Sequence, residues 1–334
     1  IVLLPVVLGA GLMLLGVTDK AQAYDKLYQE RAEFLEDPAA WRASILASRE
    51  DARVSRVLLL MRHRQGRTLV LKHEARPIRP DVFAAAIQAH LAAHEGYPEG
   101  VPALLAFDLE KQTAVMEHVP GQPLAVVLDG IPLARQLPAL QLAGQWLAGF
   151  HRGGLGDRRV FQPKHTIRFL REILDELARG DRAIAEPDAF CRVAEALCAT
   201  QSNYEGQHTQ AAATHGDMHM RNLLVGDTHA WGIDFAGGRV VPVGHDIGRL
   251  LADYAILRAP RADIPRGALL PQAALKAFFA GYDLAGPDDP SVRLLIRHRV
   301  LAEWWGVSAS AHLRSKAAER RLRGVLSLIE TAGL

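Results

Sequence analysis

Thr214-His215-Gly216-Asp217-Met218-His219-Met220-Arg221-Asn222-Leu223-Leu224-Val225, followed by Trp231-Gly232-Ile233-Asp234-Phe235, is the stretch on which the reading of this chain turns. Asp217 and Asn222 stand five residues apart around a loop that enters a short β-run, and Asp234 follows a second one, Ala230 to Ile233. Paired as a hairpin, the two runs bring three oxygen-bearing side chains together. A carboxylate and an amide oxygen, completed by waters and phosphate oxygens, suit Mg²⁺, which keeps few protein ligands. Asp217 is then left to orient a hydroxyl or take its proton, the division of labour of phosphoryl transfer.

Upstream of this stretch the pattern is β-rich. Val54 to His63 and Thr68 to Lys72 read as a hairpin around Arg64-Gln65-Gly66-Arg67. Alanine-rich Val82 to His94 reads as a helix closed by Gly96 and Pro98, and Ala103 to Phe107 and Thr113 to Glu117 as two more strands. Beyond Pro120 the periodicity is helical: Leu137 to His151, Ile167 to Ala178, Phe190 to Thr200, and then helices to Leu334. Polar Asp19 to Glu50 also reads as helices. The layout is α+β and bilobal, a small antiparallel-sheet lobe followed by a larger helical one.

Composition bounds the rest. The chain has 334 residues, long enough for two domains, and 49% hydrophobic with 23% charged residues gives a globular core, not a disordered chain. Net charge is +2, too small to point to a nucleic-acid partner. Cys191 and Cys198, seven residues apart on a helical run, lie about 10 Å apart, which excludes a disulfide between them. Ile1 to Val17 carries no polar side chain and as a helix spans about 25 Å of a bilayer core of about 30 Å. Its readings are a membrane anchor, a signal peptide ending near Ala21-Gln22-Ala23 without a basic start, an over-long gene start with Met13 as initiator, or a segment folded against the body.

His215-Gly216-Asp217-Met218-His219-Met220-Arg221-Asn222 with Ile233-Asp234-Phe235 resembles the H-G-D-x-H-x-x-N and I-D-F motifs of the aminoglycoside phosphotransferase and choline kinase superfamily. The resemblance implies a protein-kinase-like fold and ATP and Mg²⁺ as cofactors. It makes Asp217 the catalytic aspartate and Asn222 and Asp234 the metal ligands. Lys72, at a strand end ahead of the helix, matches the lysine that steadies the ATP α- and β-phosphates. Met116 to Gly121 resembles the inter-lobe linker, where backbone groups of Glu117 and Val119 would meet adenine. Pro242 to Tyr254 resembles the P-x-x-x-D-x-x-x-L-L segment, whose Asp246 opens a helix and braces the catalytic loop; N-capping is reason enough for an aspartate there. His215, His219 and His151 read as packing and hydrogen-bonding residues. The domains that follow are 1–50 (apolar segment and helical extension), 51–119 (nucleotide-binding lobe) and 120–334 (catalytic loop and acceptor site). ATP use points to the cytoplasm, with an anchor at residues 1–17 as the alternative to a mis-called start.

Two features depart from the family pattern. Ser48 to Ser55 (SREDARVS) has no glycine where a phosphate-cradling loop belongs, and the Val82–His94 helix has no central glutamate for Lys72, leaving Glu74 as a candidate acid. These gaps leave open a nucleotide-binding pseudokinase. Residues 236–334 hold 14 Lys/Arg and nine Asp/Glu, an excess of +5 that disfavours a polycationic aminoglycoside and favours a neutral or anionic small-molecule hydroxyl such as a sugar or nucleoside. A lipopolysaccharide-sugar or protein kinase at a membrane is the alternative. Trp304-Trp305 reads as one core and one surface tryptophan, or as a platform for a sugar or a quaternary ammonium, and Asp253 and Tyr254 are within sequence reach of an acceptor.

Overall fold

The computed structural model describes residues 37–334 apart from residue 52, so the apolar run at residues 1–17 lies outside it. The chain divides into two compact units after Pro120. Among the described residues, no helix is long and apolar enough to cross a membrane.

The first unit is a five-stranded antiparallel sheet with one helix. Its strands are β1 (Trp41–Glu50), β2 (Ser55–His63), β3 (Thr68–Arg76), β4 (Leu104–Asp108) and β5 (Thr113–Glu117), in the order β1-β2-β3-β5-β4. Period-two alternation sorts their side chains. Trp41, Val57, Leu59, Met61, Leu69, Leu71 and Val115 form one buried cluster. Ala114 joins a second cluster with Phe83 and Ile87 of helix α1 (Pro80–Gly96), which are one helical turn apart and share a face. The β2–β3 turn closes through the His63 amide on the Arg67 carbonyl at 2.8 Å, with Gly66 at φ +91°.

β1 overturns the expected helix over residues 41–50, and with it the assignment of those residues to a helical extension. It pairs with β2 from Trp41↔His63 to Glu50↔Ser55, with a bulge between Ile45 and Ala47. The residues are polar enough to read as a surface helix, but Trp41, Ala43 and Ile45 alternate, and β2 offers an open edge against which that alternation is buried.

The second unit is mostly helical: α2 (Leu124–Val127), α3 (Leu133–Gly153), α4 (Pro163–Ala178), α5 (Pro187–Ala199), α6 (Gly244–Leu257), α7 (Gln272–Gly281), α8 (Pro290–Trp305) and α9 (Lys316–Ala332). Two three-stranded sheets interrupt it. One is β10 (Ala230–Gly232), β9 (Leu223–Val225) and β6 (Gln122–Pro123), and the other is β11 (Val240–Pro242), β8 (His208–Ala213) and β7 (Leu155–Val160). The expected β9–β10 hairpin forms, with Trp231 opposite Leu224. Helix α6 approaches α8 closely because Gly244 and Gly248 face it; a Cβ at Gly244 would stand 2.4 Å from the Ser291 carbonyl carbon. Trp304 is fully buried and donates its indole N–H to the Ala185 carbonyl at 2.8 Å, so it is a core residue, while Trp305 packs edge-on against Phe169.

Candidate active site

β8 delivers the chain to Thr214, and the loop to Asn222 is pinned from both sides. The His215 amide donates to Asp246 Oδ2 at 2.7 Å, and the Ala236 amide donates back to the His215 carbonyl at 2.9 Å. His215 is fully buried among Trp146, Phe150 and Phe235. Its Nε2 stands 3.0 Å from the Ile233 carbonyl. A carbonyl only accepts, so Nε2 carries the proton and Nδ1 takes the Asp217 amide at 3.3 Å. Burial, opposed by Asp246, keeps this imidazole below its ordinary pKa and therefore neutral at pH 7. Gly216, at φ +82°, has the Ala236 backbone 3.2 Å from where its Cβ would be; both the left-handed backbone and that approach exclude a side chain.

Asp217 is half-buried. Partial burial raises its carboxyl, but the His219 imidazole and the Arg249 guanidinium outweigh that and hold it below the ordinary value. His219 Nε2 lies 3.5 Å from Oδ2, and Arg249 is ion-paired with Oδ1. Asn222 is buried and gives its amide N–H to the Asp217 carbonyl at 3.0 Å and to Oδ2 at 3.4 Å, while its Oδ1 accepts nothing among the described residues. The Ile233 amide donates to the Asn222 carbonyl at 3.0 Å, which ties the Asp234 loop to this one. Asp234 sits at φ +60°, a left-handed backbone that costs a non-glycine residue and that Asp tolerates better than most. Among the described residues no group of three or more His, Cys, Asp or Glu side chains forms a metal cage. The donors at hand are Asn222 Oδ1 and the Asp234 carboxylate, a sparse oxygen set whose chemistry suits Mg²⁺.

Asp246 is not an N-cap. Val243 holds the cap position of α6, and the Asp246 carboxylate lies inside the first turn. Its Oδ2 takes both the His215 amide and His151 Nε2, the latter at 3.2 Å, and His151 Nδ1 meets the Tyr282 hydroxyl at 2.8 Å. Complete burial would raise this carboxyl, but His151 and His215 bring it below the ordinary value.

Two residues of this constellation escaped the sequence reading in their actual roles. Arg249 lies one turn after Asp246, so the same face of α6 presents both to the loop. A cation at that i+3 spacing was the available signal. Asp253, buried, accepts the Met220 amide at 3.2 Å and pairs with Arg321 at 3.0 Å; Tyr254 donates to Gln136 at 2.6 Å. Both are held by internal partners.

In the sheet unit Lys72 pairs directly opposite Ala114, on the α1 face, and its ammonium lies 3.2 Å from Glu74. Glu74 therefore stands where the helix supplies no acid. The Glu117 amide is committed to the Ala103 carbonyl at 2.9 Å, whereas the Val119 backbone groups make no hydrogen bond among the described residues. In the turn between β1 and β2, where a phosphate loop belongs, the amides of Arg53 and Val54 both donate to Asp51 Oδ1 at 2.8 Å.

An antiparallel sheet unit with one helix, followed by a helical unit carrying the Asp217–Asn222 and Asp234 loops, defines the class of protein-kinase-like small-molecule kinases. The chain belongs to the phosphotransferase enzyme family, whose model matches residues 32–294. No curated protein sequence matches it. Among solved structures it is similar to a choline/ethanolamine kinase family protein from Mesorhizobium loti (TM-score 0.57, 16% identity, covering 92% of this chain and 95% of that one). It is also similar to a macrolide 2'-phosphotransferase from Brachybacterium faecium (0.54, 20%, 91% and 98%). A glucosamine kinase in complex with glucosamine, ADP and inorganic phosphate is a further neighbour (0.53, 17%, 95% and 86%). At these identities the likeness is one of fold.

Proposed function

We propose that this phosphotransferase moves the γ-phosphate of ATP to a hydroxyl of a small molecule, with Mg²⁺ required. The observation that carries the reading is the placement of Asn222: its amide N–H groups fix Asp217 and its Oδ1 is left for a cation. Asn222 and Asp234 would hold Mg²⁺, which when bound neutralises charge on the phosphates. Lys72 would steady the α- and β-phosphates. With the Glu117 amide committed, its carbonyl and the Val119 amide are the acceptor and donor offered to an adenine edge.

Asp217, held below the usual carboxylate range, is ionised at pH 7 and a weak base. It therefore orients the hydroxyl and takes the proton late, as the new bond forms, which suits a loose transition state. A carboxylate offers about four acceptor positions. Arg249, Asn222 and His219 account for three, leaving one for the hydroxyl.

A neutral or anionic acceptor is favoured over a polycation because Arg249 sits on Asp217 itself. Arg299 is a second cation nearby: burial lowers its pKa, Glu303 opposes that, and Arg249 and Arg321 add to the lowering. A polyamine would meet these guanidiniums rather than carboxylates. A second reading, nucleotide binding without transfer, is favoured by the Asp51 turn, whose amides are already taken. Thermal shift with ATP and Mg²⁺, then γ-phosphate transfer to pooled sugars, nucleosides and hydroxy acids, separates the two. Transfer to one pool is the expected result, and a shift with transfer to none of them contradicts the kinase reading.

A further inference from the structure

The second unit contains a cavity of about 360 Å³ that none of the residues assigned above line. It lies among α5, α8 and α9, with walls that include Val193, Leu197, Leu301 and Ile329, and it is within the size range of small-molecule sites. Leu197, Leu301 and Ile329 are buried, so the apolar lining belongs to the core and not to a chance surface dimple.

The polar exceptions in this lining are Thr200, whose hydroxyl donates to the Leu197 carbonyl at 2.7 Å, and two guanidiniums, Arg192 from α5 and Arg297 from α8. No acidic side chain lines the cavity, and neither arginine has a carboxylate partner among the described residues. Arg192 is exposed. Arg297 is partly buried, and its only hydrogen bond among the described residues is a long one, 3.4 Å, to the Arg293 carbonyl. A guanidinium carries five N–H donors, and drawing one partly out of water without an anion is unfavourable. Elsewhere in this unit the partly buried arginines Arg249, Arg258, Arg314 and Arg321 each meet a carboxylate, and Arg261 instead fills its donors with the Ala255, Ile256, Ala259 and Gly324 carbonyls and the Ser327 hydroxyl. Arg192 and Arg297 therefore complement an anion brought from outside, and the planar fork of arginine matches a carboxylate in particular.

We propose that this cavity is a binding site for a small amphiphilic carboxylate, its hydrocarbon part among Val193, Leu197, Leu301 and Ile329 and its anionic head on Arg192 and Arg297. The proposal is independent of which hydroxyl the enzyme phosphorylates, because no residue of the cavity belongs to that site.

Calorimetric titration of the full chain with decanoate, decanol and acetate tests it, with thermal unfolding of every variant recorded alongside. Decanoate is expected to bind saturably at one site, with decanol at least tenfold weaker and acetate undetected. The double variant Arg192→Gln/Arg297→Gln is expected to lose at least tenfold for decanoate and to leave decanol unchanged. Ala196→Trp, a substitution at an exposed lining position, is expected to weaken both. Equal binding of decanoate and decanol that ignores the arginine changes would overturn the anionic class. Absence of saturable binding by either would overturn the site, and is the result expected if another part of the chain or a second copy covers it.

Discussion

Replacing Asp246 distinguishes a carboxylate that braces the catalytic loop from one that merely starts a helix. Its Oδ2 receives two donors, the His215 amide at 2.7 Å and His151 Nε2 at 3.2 Å, in a fully buried position. Asp246→Ala leaves both donors unpaired, at about 1–3 kcal/mol each, or about 2–6 kcal/mol together. Asp246→Asn can place its amide oxygen where Oδ2 stands and keep both bonds, losing only the charge-assisted part, about 1 kcal/mol per bond. For a helical unit of this size, spanning residues 121–334, one kcal/mol moves Tm by about 2–4 °C. The expected Tm losses are thus about 4–8 °C for Asn and about 4–24 °C for Ala, read by calorimetry at pH 7. The effect has a pH signature. The folded pKa of Asp246 lies below its unfolded value, so its stabilisation is complete above that value and is lost as pH falls through the folded one. The acid limb of the Tm–pH curve should flatten in Asp246→Asn. A Tm that is unchanged or raised in Asp246→Asn would mean that desolvation of the carboxylate outweighs what it receives, and would refute the reasoning.

Arg249→Met removes a cation that holds Asp217 down, so the acid limb of the kcat–pH profile should move to higher pH; an unmoved limb would detach Arg249 from the reacting carboxylate. Gly244→Ala puts a Cβ 2.4 Å from the Ser291 backbone and is expected to cost about 1–3 kcal/mol by overpacking the α6–α8 crossing, checked by thermal unfolding. Lys72→Met should raise KM for ATP, while the KM for the acceptor changes little in the same steady-state assay. Removal of divalent cations with EDTA should stop transfer and Mg²⁺ should restore it, with Asn222→Ala needing more Mg²⁺ for half-maximal rate.

Much of the fold is legible in the residues because local and tertiary demands agree there. Val54 to His63 is a short apolar run rich in valine and leucine that ends in a glycine turn, and Leu137 to His151 repeats at helical spacing, so both elements stand where the sequence pattern puts them. The loop from His215 to Asn222 is legible for another reason: phosphoryl transfer constrains which oxygen donors stand near one another, and that constraint leaves a spacing in the chain. Trp41 to Glu50 defeats the reading because its strand is stabilised by β2, a partner that local sequence does not announce. His208 to Ala213 is similar, three alanines held extended between β7 and β11. Asp246 was legible as a helix-opening residue and, through the resemblance, as a brace of the catalytic loop; its two distant donors, His151 and the His215 amide, were not, because contacts across the fold have no sequence period. Arg249 shows the same limit, since its pairing with Asp217 depends on how α6 is turned toward the loop.

The central claim is that Asp217 is the residue against which the acceptor hydroxyl reacts. Single-turnover γ-phosphate transfer by wild type and Asp217→Asn, with ATP affinity measured on the same preparations, tests it most directly. The expected result is a loss of about 10²–10⁴-fold in the transfer rate with ATP affinity nearly unchanged. Transfer at the wild-type rate by Asp217→Asn would contradict it.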